Sequence, residues 1–458
     1  MRFYDLLFQR SERMLAFTFA VLILGGTLLL WMPISHGKPV SQSRPGLSLI
    51  DALFTATSAV CVTGLTVVNT DSDFSRFGQV VILSLIQLGG LGIMTFAALG
   101  AQLLGGKMSF RSQSMVADSF FQRNAATTLR RDLKRIVVAT LIIEAIGAAV
   151  IYLDLLSEPG EAAPAFSAIF HSISAYCNAG FSIYPDSLVQ QRVASPAFIY
   201  MIMLLIVLGG LGHAVVLETT KRVWNQIRRQ PMKPIMWTLN TRIVLYMSAG
   251  LILVGTVLLL PLGIYEQSVS WFDAITNAAF QSITCRTAGF NTVDIGALPR
   301  TALMVMMVFM FIGGSPASCA GGVKTTSVAT WYSQLRAWLR GNTDVTLLGR
   351  RLPPSVVARA AMIIGLGVIW CATGTMILTL TESFEQEKDS LDLMFEQVSA
   401  FGTVGLSTGV TPHLSSAGKL WITISMFVGR LGPLTAAMVI SQRAVTSARY
   451  PEEQILVG

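Results

Sequence analysis

Phe280-Gln-Ser-Ile-Thr-Cys-Arg-Thr-Ala-Gly-Phe-Asn-Thr292 lies between two long apolar segments, yet it is too polar and too dependent on glycine for a lipid-facing helix. Three other stretches read as copies of it: Ser58-Ala-Val-Cys-Val-Thr-Gly64-Leu-Thr, Ser174-Ala-Tyr-Cys-Asn-Ala-Gly180-Phe-Ser and Ser399-Ala-Phe-Gly-Thr-Val-Gly405-Leu-Ser. Gly64, Gly180, Gly289 and Gly405 recur roughly 110 to 116 residues apart. A long-period repeat of this kind decides the architecture before any single element does.

The chain has 458 residues, of which 52% are hydrophobic and 13% charged. Soluble domains carry about 25% charged residues. Apolar runs near the length that crosses a bilayer cover Leu15 to Trp31, Val80 to Leu104, Ile136 to Tyr152, Ile199 to Val216, Ile243 to Leu262, Leu303 to Ile312, Val356 to Leu380 and Leu420 to Ile440. The first run is too long, and Trp31-Met-Pro-Ile too bulky, for a cleaved signal. The expected fold is an all-α polytopic membrane protein. Its boundaries fall at 1–106, 107–222, 223–340 and 341–458, the last including a cytosolic tail.

The net charge of +8 is not spread as a nucleic-acid surface would be. Basic residues gather at Arg2, Arg10 and Arg13, in 107–135, 221–242 and 324–359, and in the tail. Acidic residues fill the alternate loops: Asp71 and Asp73, Asp154 to Glu161, Glu266 to Asp294, and Glu382 to Glu396. That alternation places both termini and the basic loops in the cytoplasm, and the basic side suits anionic lipid. Cys61, Cys177, Cys285, Cys319 and Cys371 show no metal-ligand or disulfide spacing.

Each repeat reads as an outer helix, an external loop, a short re-entrant helix ending in the glycine segment, and an inner helix. Ser48-Leu-Ile-Asp51 and Ser270-Trp-Phe-Asp273 resemble capping boxes, and Ser390-Leu-Asp392 shortens that signature. Phe54 to Val60 continues as helix, and Cys61 to Gly64 is expected to be extended. Non-helical backbone at membrane depth must be buried in protein or line a wet cavity, so four copies suggest one cavity on a pseudo-fourfold axis. The third copy is about three residues longer between Asp and Gly.

Inner helices carry Leu88-Gly-Gly-Leu-Gly92, Leu208-Gly-Gly-Leu-Gly212, Ile312-Gly-Gly-Ser-Pro316 and Val428-Gly-Arg-Leu-Gly432. Gly313-Gly-Ser-Pro-Ala-Ser-Cys-Ala-Gly-Gly322 should break the third inner helix into a mobile intramembrane loop; a small-residue packing face with a proline kink is the alternative. Arg430 replaces Gly90 and Gly210 of the first two copies. Either it faces the axis as a barrier to cations or it snorkels or pairs elsewhere.

Converging backbone carbonyls can replace the water of a permeating ion. The carbonyls expected to do so belong to Val62, Thr63 and Gly64; Asn178, Ala179 and Gly180; Thr287, Ala288 and Gly289; Thr403, Val404 and Gly405. Without carboxylates they suit a monovalent cation better than Ca²⁺ or Mg²⁺. Arg286 either braces its loop through carbonyls or Asp294, or is an unremarkable external arginine. Glu144 either relays protons or pairs with an arginine or backbone group.

These segments, above all Cys285-Arg-Thr-Ala-Gly289-Phe-Asn-Thr and Cys177-Asn-Ala-Gly180-Phe-Ser, resemble the Trk/Ktr/HKT superfamily of potassium transporters over nearly the whole chain. With no helix pair expected before Leu15, the chain is most similar to the superfamily's bacterial KtrB type of membrane subunit. The resemblance implies K⁺ uptake across the plasma (inner) membrane, Na⁺ as coupling or activating ion, a homodimer, and a cytosolic RCK-type nucleotide-binding regulatory subunit. It also implies a gate built from Gly313, Gly314, Ser315, Pro316, Ala317, Ser318, Gly321, Gly322 and Lys324, with Arg430 as its partner. Thr63 and Val404 stand where the other two copies have alanine.

Two rival readings differ in class. An intramembrane serine protease would pair Ser315 or Ser318 with His213. An alternating-access Na⁺/K⁺ or H⁺/K⁺ symporter would show inverted repeats, whereas these four share one orientation.

Overall fold

The computed structural model describes residues 11–37, 47–92, 126–157, 163–190, 195–228, 237–263, 270–382 and 389–440. The basic residues at 2 and 10, the basic stretch 107–125, residues 93–104 of the second apolar run, parts of the alternating charged loops, and the tail 441–458 lie outside the described residues.

Hydroxyl caps start two of the four short helices. Ser48 accepts from the Asp51 amide at 3.1 Å, opening α2 (Leu49–Val60), and Ser270 accepts from the Asp273 amide at 3.3 Å, opening α9 (Trp271–Thr284). Such caps stabilise a helix by ~1 kcal/mol. The fourth short helix, α13 (Ser390–Gly402), departs from the expectation: Asp389, not Ser390, is the cap, and its amide donates to the Asp392 carboxylate at 3.2 Å. In α5 (Pro164–Tyr176) proline occupies the first turn, where its missing N–H costs nothing.

Longer helices precede each of these: α1 (Ser11–Trp31), α4 (Ala126–Leu155), α8 (Leu239–Leu259) and α12 (Pro354–Thr381). Their outward sides stay apolar, with Leu28, Ile146, Leu253 and Ile369 among many exposed side chains. Apolar belts of this size fit lipid rather than water. Among the described residues, Lys134–Leu155, Leu239–Leu262 and Pro354–Thr381 are long and apolar enough to cross a membrane singly. The chain is a polytopic helical membrane protein; among the described residues, strand is confined to one small hairpin, β1 (Thr346–Leu347) with β2 (Arg350–Arg351).

The helices that follow are α3 (Arg76–Gly90), α6 (Pro196–Leu211), α10 (Arg300–Phe311) and α14 (Ser416–Leu431). Each packs against the next short helix in turn: α3 on α5, α6 on α9, α10 on α13, and α14 back on α2. The packing therefore closes on itself.

Two runs expected to be continuous are broken. α6 stops at Gly212 (φ +88°) and α7 (His213–Ile227) leaves at 108°. α14 stops at Gly432 (φ +86°) before α15 (Pro433–Ile440). The last glycine of each Gly-x-Leu-Gly element takes a backbone conformation that other residues rarely hold. The third inner helix breaks as expected, with a non-helical stretch joining α10 to α11 (Thr325–Leu339).

Candidate functional site

The backbone that leaves each short helix is not extended. Val62, Asn178, Thr287 and Thr403 have φ of 56°, 58°, 72° and 51°, and Gly64, Gly180, Gly289 and Gly405 follow two residues later at 95°, 68°, 77° and 93°. Positive φ at Val62, Thr287 and Thr403 costs each β-branched residue about 1–3 kcal/mol. The neighbouring loops must over-determine the conformation.

They do so in a ring. A methyl built on Gly64 would lie 2.5 Å from the Ala179 carbonyl oxygen, and one on Gly180 would lie 2.6 Å from that of Ala288. The bare side of Gly289 faces the Val404 carbonyl, and that of Gly405 faces the Thr63 carbonyl. The order runs through all four loops and returns to the first. No side chain fits at any of the four glycines without entering a neighbour's backbone.

Hydroxyls from the short helices hold the loops, a role the sequence reading missed. Ser58 and Ser399 accept from the amides of Gly64 (3.0 Å) and Gly405 (3.1 Å). Ser174 and Thr284 instead donate to the carbonyls of Phe181 and Phe290, both at 2.8 Å. The available signal was the hydroxyl six residues before three of the glycines and five before Gly289.

Outside the ring lies a cavity of about 430 Å³ lined by the four glycines, with Asp186 and Asp294 on its wall. Beneath the ring, the first glycine of the first, second and fourth motifs lets the inner helix pass against the end of a short helix, while Gly313 of the third faces the Gly321 carbonyl. A methyl on Gly89, Gly209 or Gly429 would overlap the carbonyl of Val60, Tyr176 or Phe401.

Residues 312–324 cross this space as non-helical chain tied on several sides. Ser315 N–H donates to the Gly210 carbonyl (3.1 Å), Gly322 N–H to that of Gly429 (3.3 Å), and Gly321 N–H to the Thr403 hydroxyl (3.0 Å). The Gly210 and Gly429 carbonyls sit at helix ends, where intrahelical partners run out. His213 N–H reaches the Ala317 carbonyl at 3.1 Å, and the Lys324 ammonium folds back onto the Ala320 carbonyl. Arg430 donates to the carbonyls of Cys319 and Gly89, linking this loop to two inner helices.

A family profile described as TrkH, cation transport protein, matches residues 8–447. The chain belongs to the TrkH family. It is 35% identical to the Ktr system potassium uptake protein B of Bacillus subtilis, over 97% of this chain and 96% of that protein. It is 34% identical to the potassium/sodium uptake protein NtpJ of Enterococcus hirae, over 97% of each. The crystal structure of the potassium transporter TrkH from Vibrio parahaemolyticus superposes with a TM-score of 0.70 at 20% identity, covering 95% of this chain and 86% of that one. That likeness shows a shared fold, and the family is one of cation transporters rather than enzymes.

Other expected contacts in this TrkH-family chain resolve differently. Arg286 is buried and donates to the Ser248 hydroxyl on α8 at 3.0 Å, so neither Asp294 nor a loop carbonyl is its partner. Glu144 receives the Gln87 amide at both carboxylate oxygens, each at 3.2 Å, not an arginine or backbone group. The protease pairing is absent: Ser318 donates to the Ser315 carbonyl (2.7 Å), and Ser315 receives the Thr325 hydroxyl (3.3 Å). Among the described residues no group of three or more His, Cys, Asp or Glu side chains is placed to hold a metal.

Proposed function

We propose that the chain takes up potassium ions through the ring of four loops. The observation that carries this is the ring's closure. Four glycines with positive φ each turn a bare face to the next loop's carbonyl, the arrangement that main-chain ion coordination needs. The C-terminal ends of α2, α5, α9 and α13 lead straight into these loops, so their negative dipole ends favour a cation. Relatives named for potassium uptake, and for potassium and sodium uptake, support these ions as cargo.

In this reading the coordinating carbonyls are those of residues 62–64, 178–180, 287–289 and 403–405. Residues 313–324 with Arg430 are the gate, and Na⁺ assists uptake. The four repeats divide at 106/107, 222/223 and 340/341. The protein sits in the plasma membrane with both termini in the cytoplasm, as a homodimer bound to a cytosolic nucleotide-binding subunit; these points rest on charge alternation and on the family resemblance.

Replacing Gly289 with serine tests the filter directly. The expected result is weaker K⁺ uptake and a smaller preference for K⁺ over Na⁺, read from ⁸⁶Rb⁺ and ²²Na⁺ uptake in cells that lack other K⁺ uptake. Wild-type uptake of both ions would remove the filter assignment.

A further inference from the structure

All four short helices carry a second buried polar side chain three residues before the hydroxyl that braces the loop, and in three of them it reaches a partner beyond the glycine. These are His171 before Ser174, Gln281 before Thr284 and Glu396 before Ser399. That spacing puts both side chains on one helix face. The earlier group reaches past the glycine to the chain leaving the ring. His171 donates through Nδ1 to the Ser167 carbonyl (2.8 Å) and meets the Ser182 hydroxyl through Nε2 (3.0 Å). Gln281 donates to the Thr292 hydroxyl at 3.2 Å. The first copy has Thr55 at this place, and its buried hydroxyl has no partner among the described residues.

Glu396 makes the fullest set of contacts. Its carboxylate is wholly buried and accepts from the Ser407 hydroxyl, the Thr408 amide (3.2 Å) and the Thr411 hydroxyl (2.7 Å). All three donors lie in the five residues 407–411, just after Gly405; Thr411 opens the one-turn 3-10 helix Thr411–His413, and none lies on α1 to α15. No Lys, Arg or His pairs with Glu396 among the described residues. A buried carboxylate is costly unless several donors satisfy it, so these bonds hold 407–411 tightly without tying α13 to another α-helix.

We infer that Glu396 is a positioning residue of the ion path: it fixes the segment leaving Gly405, and through it the spacing of the fourth loop's carbonyls, and so sets the preference among monovalent cations. This rests on reading the glycine ring as the filter. A carboxylate that served only folding would govern the amount of stable protein and leave ion preference alone.

The test uses the full chain in cells lacking other K⁺ uptake, with KM and maximal rate per transporter measured for K⁺ and Na⁺. Glu396→Ala is expected to raise the KM for K⁺ about tenfold, with the maximal rate per molecule within about twofold of wild type. Glu396→Gln, which keeps one acceptor oxygen, is expected to fall between the two. Both variants keeping wild-type KM and K⁺/Na⁺ ratio would overturn the inference. Should Glu396→Ala fail to reach the membrane, Ser407→Ala and Thr411→Val each delete one donor and decide the matter: a raised KM supports the role and an unchanged KM refutes it. Gly405→Ser separates the two levels. If it shifts ion preference while the Glu396 variants do not, only this inference falls; if it too is silent, the filter reading falls and takes this inference with it.

Discussion

Arg430 donates through Nη1 to the main-chain carbonyl of Cys319, tying the fourth inner helix to the loop that interrupts the third. The same guanidinium reaches the Gly89 carbonyl on the first inner helix. One positive charge thus pins the loop to two inner helices, and in the proposed reading it faces any cation that leaves the ring. Lowering a barrier by ~1.4 kcal/mol speeds passage about tenfold, so Arg430→Ala is expected to raise K⁺ flux on that scale with normal amounts in the membrane. Flux at or below wild type from well-assembled protein would contradict this role.

Residues 315–320 are held by neighbouring helices rather than by a helix of their own: the Ser315 amide donates to the Gly210 carbonyl, and the Ala317 and Cys319 carbonyls accept from His213 N–H and Arg430. Deleting Ser315 to Ala320 shortens the proposed gate and spares the residues of α10 and α11. Flux through this deletion, measured in proteoliposomes without any partner protein, is expected to exceed wild type. A folded deletion that conducts no faster would show that the barrier lies elsewhere.

Gly209 and Gly210 are adjacent and predict opposite results. A methyl on Gly209 would overlap the Tyr176 carbonyl, whereas one on Gly210 comes only to 3.5 Å of the Asn178 side chain. Overpacking of a close backbone contact costs about 1–3 kcal/mol, so Gly209→Ala should lower the thermal midpoint in detergent and Gly210→Ala should hardly move it. Equal midpoints would contradict the packing described for the inner helix.

Asp186 and Asp294 line the outer cavity without joining the ring. In the proposed reading their field concentrates cations at the mouth and is screened beyond about 10 Å at 0.1 M salt. Asp186→Asn and Asp294→Asn should therefore raise the apparent KM for K⁺ at low ionic strength, and the difference should shrink as an impermeant salt is added. A KM shift that ignores salt would argue for direct coordination instead.

The four loops, their glycines and the broken third inner helix were legible because glycine, proline and hydroxyl caps mark them locally. Nothing local marks Val62 or Thr403 as left-handed; neighbouring loops impose that conformation, and β-branched residues ordinarily avoid it. Gly212 and Gly432 lay hidden inside apolar runs, where a lone glycine is often tolerated in a helix. The partner of Glu144, Gln87, stands 57 residues away on another helix, and Arg286 meets Ser248 across 38. Such pairs follow from packing, which no single segment encodes.

The wraparound contact of α14 on α2 bears on biosynthesis. α2 is made well before the helix that covers it, and the Lys419 ammonium that pairs with its Asp51 at 2.7 Å follows it by 368 residues. Until then the first loop lacks the last wall of its ring. The nascent chain must wait for α14 before its centre can shut, so truncations ahead of α14 should leave a protein that inserts but is recognised by quality-control proteases as unfinished.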